Sequence, residues 1–268
     1  MLKTDILERI FSIEGKCALI TGSSSGIGRA LAVGFAQAGA RVAVHGTRQE
    51  KIDETLRVIE GKGCRADGFL ADLTENGAPN DLVSRVCDEI GGIDILVNNA
   101  GINRRNPIDE VTEEDYDLIT TVNLRSVFFL CKAVYPVMCS RGGGKIINTG
   151  SLTTVQGIAG VPVYGITKSA LGQFTKTASV EWAKDNIQVN CIAPGLIQTP
   201  LTEAGLLNTP YTKKWLLDRI PCNRVGQPED LVGLGLLLAS EGSSYITGQT
   251  ILIDGGFTAG GDWRPPKE

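Results

Sequence analysis

In "YGITK", Tyr164 and Lys168 stand four residues apart, a spacing that puts a phenol and an amine on one face of a helix. Both groups can carry a proton, but the pair alone says little, because lysine is a common residue. Ser151 closes the apolar run "KIINTGS" (145–151), and Asn123 lies inside a helical pattern, "TTVNLRS", where asparagine is locally disfavoured. A cap or a buried hydrogen bond would explain Asn123 without any chemistry. A second kind of chemistry is written in "TGSSSGIG" (21–28), a glycine turn between an apolar run and a helical pattern. Gly22 permits the tight turn, Gly26 lets backbone approach a pyrophosphate, and Gly28 allows close helix–strand packing. Ser23, Ser24, Ser25 and Ile27 complete the cradle, and the helix N-terminus offers its N–H groups and dipole to phosphates. In that strand–turn–helix context the motif points strongly to a dinucleotide. A third feature is "NNAGINRRNP" (98–107), where Arg104 and Arg105 follow a glycine turn and either meet solvent or wait for an anion.

A chain that binds NAD should show Asp or Glu about twenty residues beyond the glycine turn, to hold the adenosine ribose 2′-hydroxyl. Here the stretch is "VAVHGTRQE", with Gly46, Thr47 and Arg48 where the acid would stand. A guanidinium at Arg48 can pair with a 2′-phosphate, and a merely solvated arginine would leave the missing carboxylate unexplained. Although Glu50 could reach back, the expectation is NADP in preference to NAD.

These residues need a scaffold. Apolar runs at 17–22, 41–46, 68–72, 93–100, 145–151, 187–195 and 249–256 read as seven strands. Helical patterns at 26–39, 50–63, 79–90, 113–139, 163–184 and 228–240 alternate with them. Strands apolar on both faces, alternating with helices, predict an α/β doubly wound sheet, mostly parallel and covered on both sides. No linker composition breaks the order, so residues 1–268 are expected to form a single dinucleotide-binding catalytic domain. The stretch 199–227 has no strand pattern and carries Pro200, Pro210 and Pro221. It reads as a helical insertion over the carboxyl ends of the strands, either a substrate lid or a rigid excursion. Trp215 and Tyr211 within it either line a pocket or pack the insertion itself.

Composition excludes several classes. A net charge of −4 and a pI near 5.3 argue against nucleic acid as a partner. The single histidine, His45, and seven scattered cysteines without a CxxC pair leave no metal site to expect. Odd in number and mostly within apolar runs, the cysteines read as buried reduced thiols of a reducing compartment. The N-terminus lacks an uninterrupted apolar segment, and no run approaches 18 uncharged apolar residues, so a cytoplasmic protein without a membrane partner is expected.

Taken in order, "TGSSSGIG", "NNAG", the set Asn123–Ser151–Tyr164–Lys168 and "APGLIQT" (193–199) resemble the short-chain dehydrogenase/reductase family over nearly the whole chain. The resemblance implies that Tyr164 is the general acid/base and that Ser151 holds the substrate oxygen. Lys168 would bind the nicotinamide ribose and lower the tyrosine pKa, and Asn123 would anchor a proton-relaying water. Asp72 and Leu73 would line the adenine pocket, with Asn99, Ala100 and Gly101 along the cofactor. Pro194, Gly195, Ile197 and Thr199 would hold its carboxamide end. A free phenol titrates at about 10, so useful ionisation near neutrality needs a lowering of roughly 2–3 pH units, the direction in which nearby cations act. A homotetramer is also implied. Segments such as "FSIEGK", "NNAGINRR" and "DRIPCNRVGQPEDLVG" are similar to gluconate 5-dehydrogenases and 2-dehydro-3-deoxygluconate dehydrogenases, which implies a sugar-acid alcohol or ketone as substrate. "SYITGQTILIDGGFTAGG" is as similar to tropinone-reductase-type members, and 3-oxoacyl-thioester reductases share the core motifs. A non-catalytic dinucleotide-binding scaffold is the alternative of another class, disfavoured by the intact tetrad. Of the two arginines, Arg104 is expected to point inward, onto a substrate carboxylate.

Overall fold

The computed structural model describes residues 2–203 and 209–261. Seven strands form one sheet: β1 (Cys17–Ile20), β2 (Arg41–Gly46), β3 (Ala66–Leu70), β4 (Ile95–Asn98), β5 (Gly144–Thr149), β6 (Ile187–Pro194) and β7 (Thr250–Ile253). Their order is β3-β2-β1-β4-β5-β6-β7 and every pairing is parallel. The order reverses between β1 and β4, where such sheets open a crevice at their carboxyl ends.

Adjacent strand residues point to opposite faces, and both faces are buried. Leu96, Leu19, Ile146 and Val189 pack on one side against Leu82, Val86, Leu130, Val134 and Leu171. These come from α4 (Ala78–Ile90), α6 (Ser126–Ser140) and α7 (Pro162–Trp182). On the other side Ile20, Val44, Ile95, Val97 and Ile147 pack against Leu31, Phe35, Ile52 and Leu238. Those belong to α2 (Gly26–Gln37), α3 (Gln49–Glu60) and α10 (Val232–Ala239). Burial of such side chains at roughly 25 cal/mol per Å² is the main force holding the layers together. α1 (Leu2–Phe11), ahead of β1, has no counterpart in the expected element order.

The helical pattern over 113–139 is one continuous helix in three parts. α5 (Glu113–Thr120) runs into a π-helical turn over Thr121–Arg125 and then into α6. By length and hydropathy alone this 28-residue helix could cross a membrane. In the fold it is a core helix, with Val127, Leu130, Cys131, Val134 and Met138 buried. Among its described residues the stretch 199–227 holds two short helices, α8 (Pro200–Glu203) and α9 (Pro210–Leu217). Residues 204–208 of the expected insertion lie outside the described residues. Leu216 and Ile220 join Leu196 in a satellite apolar cluster with Trp215, Val225 and Phe257. All seven cysteines are free thiols, but only Cys17, Cys131 and Cys191 are buried, and Cys222 is exposed, so the expectation of buried thiols holds for fewer than half.

Candidate active site

The glycine turn follows β1. Gly22 has φ +62°, a left-handed conformation that other residues rarely adopt. A Cβ on Gly28 would overlap the Gly22 carbonyl and the Asn99 side chain, so only glycine lets α2 start this close to the sheet. Asn99 braces the turn from β4, its Nδ2 donating to the carbonyls of Thr21 and Gly22 at 3.0 Å each. Thr21, which motif reading passed over, accepts the backbone N–H groups of Asn99 and Ala100 on its hydroxyl. His45 Nδ1 accepts from Gly22 N–H at 3.1 Å, and burial pushes its pKa down to about 4.

Two cradle residues turn their side chains into the protein. Ser23 is fully buried, its hydroxyl donating to Ile20 O at 2.6 Å and accepting from His45 N–H. It stitches β1 to β2 and turns no polar group outward. Ile27 packs against the core. Ser24, Ser25 and Gly26 remain at the helix entrance, where Ser25 makes no side-chain cap and leaves the first-turn N–H groups to a ligand. Gly26 faces Thr199 across the cleft, 3.3 Å from its Cγ2 to the position a Cβ would take. Pro194 ends β6, Gly195 lies tight against Asp254, and Ile197 is a core side chain.

Beyond β2, Thr47 is exposed and Arg48 is the N-cap of α3, its side chain 65% exposed and paired with Glu50 at 3.9 Å. Leu73 has its side chain in the core, leaving only its backbone for an adenine pocket. Asp72 folds back onto the Thr74 N–H and hydroxyl.

The tetrad converges behind this cleft. Lys168 is buried on α7 and donates from Nζ to Thr149 O at 2.6 Å, and burial pushes its pKa down to about 8. Nζ lies 5.5 Å from the centre of the Tyr164 ring. A Cβ on Gly101 would stand 3.3 Å from Asn123 Oδ1 and 3.6 Å from Lys168 Nζ, so this glycine keeps both groups uncovered. Ser151 caps the short 3₁₀ turn Leu152–Thr154, its Oγ accepting from Thr153 N–H at 3.2 Å. Burial raises the Tyr164 pKa, and the Ser151 hydroxyl and the Arg105 charge act against that rise. Arg105 thus adds a positive charge to the surroundings of Tyr164, alongside the nearby Lys168.

Asn123 sits in the π-helical turn, fully buried, and clamps one peptide unit. Its Oδ1 accepts from Ile102 N–H at 2.8 Å and its Nδ2 donates to Ile102 O at 2.9 Å. Of the readings left open by the sequence, a buried hydrogen bond is thus present. Widened turns of this kind often mark functional sites.

Residues 102–107 lead on from that clamp without regular secondary structure. Arg104 turns away from the cleft and pairs with Asp115 at 2.7 Å, and Asn106 donates to the other Asp115 oxygen at 3.1 Å. Asn103, Arg105, Asn106 and Pro107 line a cavity of about 1200 Å³ with Ser151, Thr153 and Tyr164, and Arg104 does not. The expectation that Arg104 points inward is therefore corrected: Asp115 holds the Arg104 guanidinium in an ion pair, and Arg105 is the arginine at the cavity. Trp215, Leu201 and Phe257 form the far wall, whereas Tyr211 is 78% exposed and outside it.

Comparison with known proteins accords with this geometry. The family profile described as enoyl-(acyl carrier protein) reductase matches residues 22–258. The chain belongs to the short-chain dehydrogenase/reductase family and is a nicotinamide-dependent oxidoreductase. Gluconate 5-dehydrogenase of Gluconobacter oxydans is 39% identical over 93% of this chain and 97% of its own. The 3-oxoacyl-[acyl-carrier-protein] reductase of Thermotoga maritima is 40% identical over 91% and 98%. The solved structure of a gluconate 5-dehydrogenase from Burkholderia cenocepacia, in complex with NADP and tartrate, superposes with a TM-score of 0.90 at 38% identity, covering 95% and 99% of the two chains.

Proposed function

We propose that this enzyme interconverts a secondary alcohol and a ketone on a sugar acid, with NADP preferred over NAD. The observation that carries the substrate is Arg105. Its Nε is buried at the cavity wall without a partner, and its charge is felt at Tyr164. A carboxylate would pair with this guanidinium through charge-assisted hydrogen bonds that fix its orientation. The gluconate 5-dehydrogenase relatives agree with that reading.

When bound, the dinucleotide supplies or accepts the hydride. Everything else falls to the chain. Tyr164 hands a proton to the carbonyl oxygen or takes one from the hydroxyl, and Ser151, held by Thr153 N–H, keeps its own hydrogen free to hold that oxygen. Lys168 and Asn123 stand behind the phenol. The glycine turn and the start of α2 fit a pyrophosphate, and Arg48, with no carboxylate in the ribose position, fits a 2′-phosphate. We further propose 199–227 as a substrate lid over a single catalytic domain, and a cytoplasmic homotetramer. Phe128, Ile166 and Val180, exposed on α6 and α7, support the assembly. A second reading, a 3-oxoacyl-thioester or cyclic ketone, draws on the apolar far wall and on the Thermotoga relative.

The test assays Arg105→Ala and Arg104→Ala on a six-carbon sugar acid, on its uncharged amide and on an acyl thioester. Loss of a charge-assisted contact should cost about 1.5–3 kcal/mol, roughly 10- to 150-fold in kcat/KM, for Arg105→Ala on the acid alone. Equal losses on acid and amide, or a wild-type preference for the thioester, would overturn the sugar-acid reading.

A further inference from the structure

Three buried polar side-chain atoms in the wall of the Tyr164 cavity have no hydrogen-bond partner: Asn103 Oδ1, Arg105 Nε and Thr153 Oγ1. Elsewhere among the described residues only Asn98 Oδ1 is in that state. Buried polar groups are nearly always paired, so three in one wall call for a cause. Arg105 is accounted for by the anion. Asn103 and Thr153 are not.

Their placement narrows what could pair with them. Asn103 follows β4 and Thr153 follows β5, neighbouring strands in register at Asn98 and Asn148. Thr153 is tied to the site through its own N–H, which donates to Ser151 Oγ. The residue is 9% exposed and its hydroxyl oxygen is buried, so it is not an ordinary wetted surface group. Asn103 is tied in through Ile102, whose peptide Asn123 clamps, and through Arg104 and Asn106, which Asp115 holds. Both residues stand in the wall of the cavity that Ser151 and Tyr164 also line. An amide oxygen accepts only, so its complement must be a donor, and a hydroxyl can both donate and accept. An acyl chain offers neither. Hydroxyl groups on the carbons beside the reacting one offer both.

We propose that Asn103 and Thr153 are specificity-determining residues that each take a hydroxyl flanking the reacting carbon, so that the substrate is a vicinal polyol. This deepens the sugar-acid reading and rests on it for the class of substrate, but the hydroxyl contacts do not depend on the carboxylate. A site built to bond a substrate hydroxyl discriminates sharply against the analogue that lacks it.

The experiment uses four ketones: a polyhydroxylated keto acid, its amide, and the counterparts of both without the flanking hydroxyls. Wild type, Asn103→Ala, Thr153→Val and Thr153→Ser are assayed on each, with thermal unfolding to confirm the fold. The expected result is a loss of about 10- to 100-fold in kcat/KM on both hydroxylated ketones for Asn103→Ala and Thr153→Val. The deoxy pair should lose less than about 3-fold, and Thr153→Ser should restore most of the Thr153→Val loss. The same loss on deoxy and hydroxylated ketones, or none on either, overturns the proposal. If hydroxyl selectivity falls in these variants while Arg105→Ala treats acid and amide alike, the carboxylate reading fails and this one stands. Should wild type turn over only an acyl thioester, both fall.

Discussion

His45 shows how one residue type can mislead a reading by motif. As the only histidine in the chain it invites a catalytic role. Instead it is a buried acceptor beneath the glycine turn, kept neutral down to about pH 4 by its burial. Since the unfolded chain takes up this proton near pH 6.5 and the folded chain does not, the stability His45 contributes is fully present above 6.5 and is lost as pH falls from 6.5 towards 4. Unfolding in urea at pH 7.5 and 5 should differ by about 2 kcal/mol from this group alone, and His45→Gln should remove that part of the difference. An unchanged pH dependence in the variant would mean the imidazole is not held neutral. At this scale the tetrad was legible because chain order and i, i+4 spacing carry it. Asn103 and Thr153 were not, because an unpaired oxygen is a property of what surrounds it.

The segment between β4 and α5 shows what the elements add. Seven strands and six helical patterns could be read directly from apolar periodicity, since strands buried on both faces differ so plainly from amphipathic helices. Invisible to that reading were the π-helical turn at Asn123, only five residues long and so too short to show as a separate period, and the direction of the arginines. That direction is set by Asp115, buried at the start of α5, whose own N–H is capped by Thr112. Asp115→Ala should free Arg104 and Asn106 and loosen Arg105 with them. KM for an acidic substrate should rise about 5- to 30-fold while kcat changes little, and Asp115→Asn, which keeps one acceptor, should fall between. A kcat loss matching that in kcat/KM would mean that Asp115 acts in the transition state and does not merely position the segment.

Across the whole molecule, chemistry and reinforcement occupy opposite rims of the sheet. At the amino-terminal rim Asp94 accepts from Arg141 twice at 2.8 Å and from the Cys17 N–H at 2.8 Å. Burial would raise the Asp94 carboxyl pKa, but those donors hold it below the usual carboxylate range. The proposed assembly belongs to this scale too. With Phe128 49%, Ile166 55% and Val180 81% exposed, α6 and α7 carry apolar surface that a closed oligomer would cover. Light scattering should give a mass near four times the 28.5 kDa chain, and Val180→Asp should lower it. A stable 28.5 kDa species in the wild type at micromolar concentration would refute the tetramer.

The separate fates of Arg104 and Arg105 have a consequence for divergence. Two adjacent arginines, one anchored to Asp115 and one at the cavity, form a frame in which identity matters less than position. Deleting a single residue between Gly101 and Arg104 would leave both arginines in the chain, yet seat Arg105 against Asp115 and move Arg104 to the cavity position now held by Asn103. Point substitution alters such a selector gradually, whereas a one-codon slip would relocate its charge in a single step. Homologues that differ in length between "NNAG" and α5 are therefore where altered preference for acidic substrates should be sought, even when every arginine is retained.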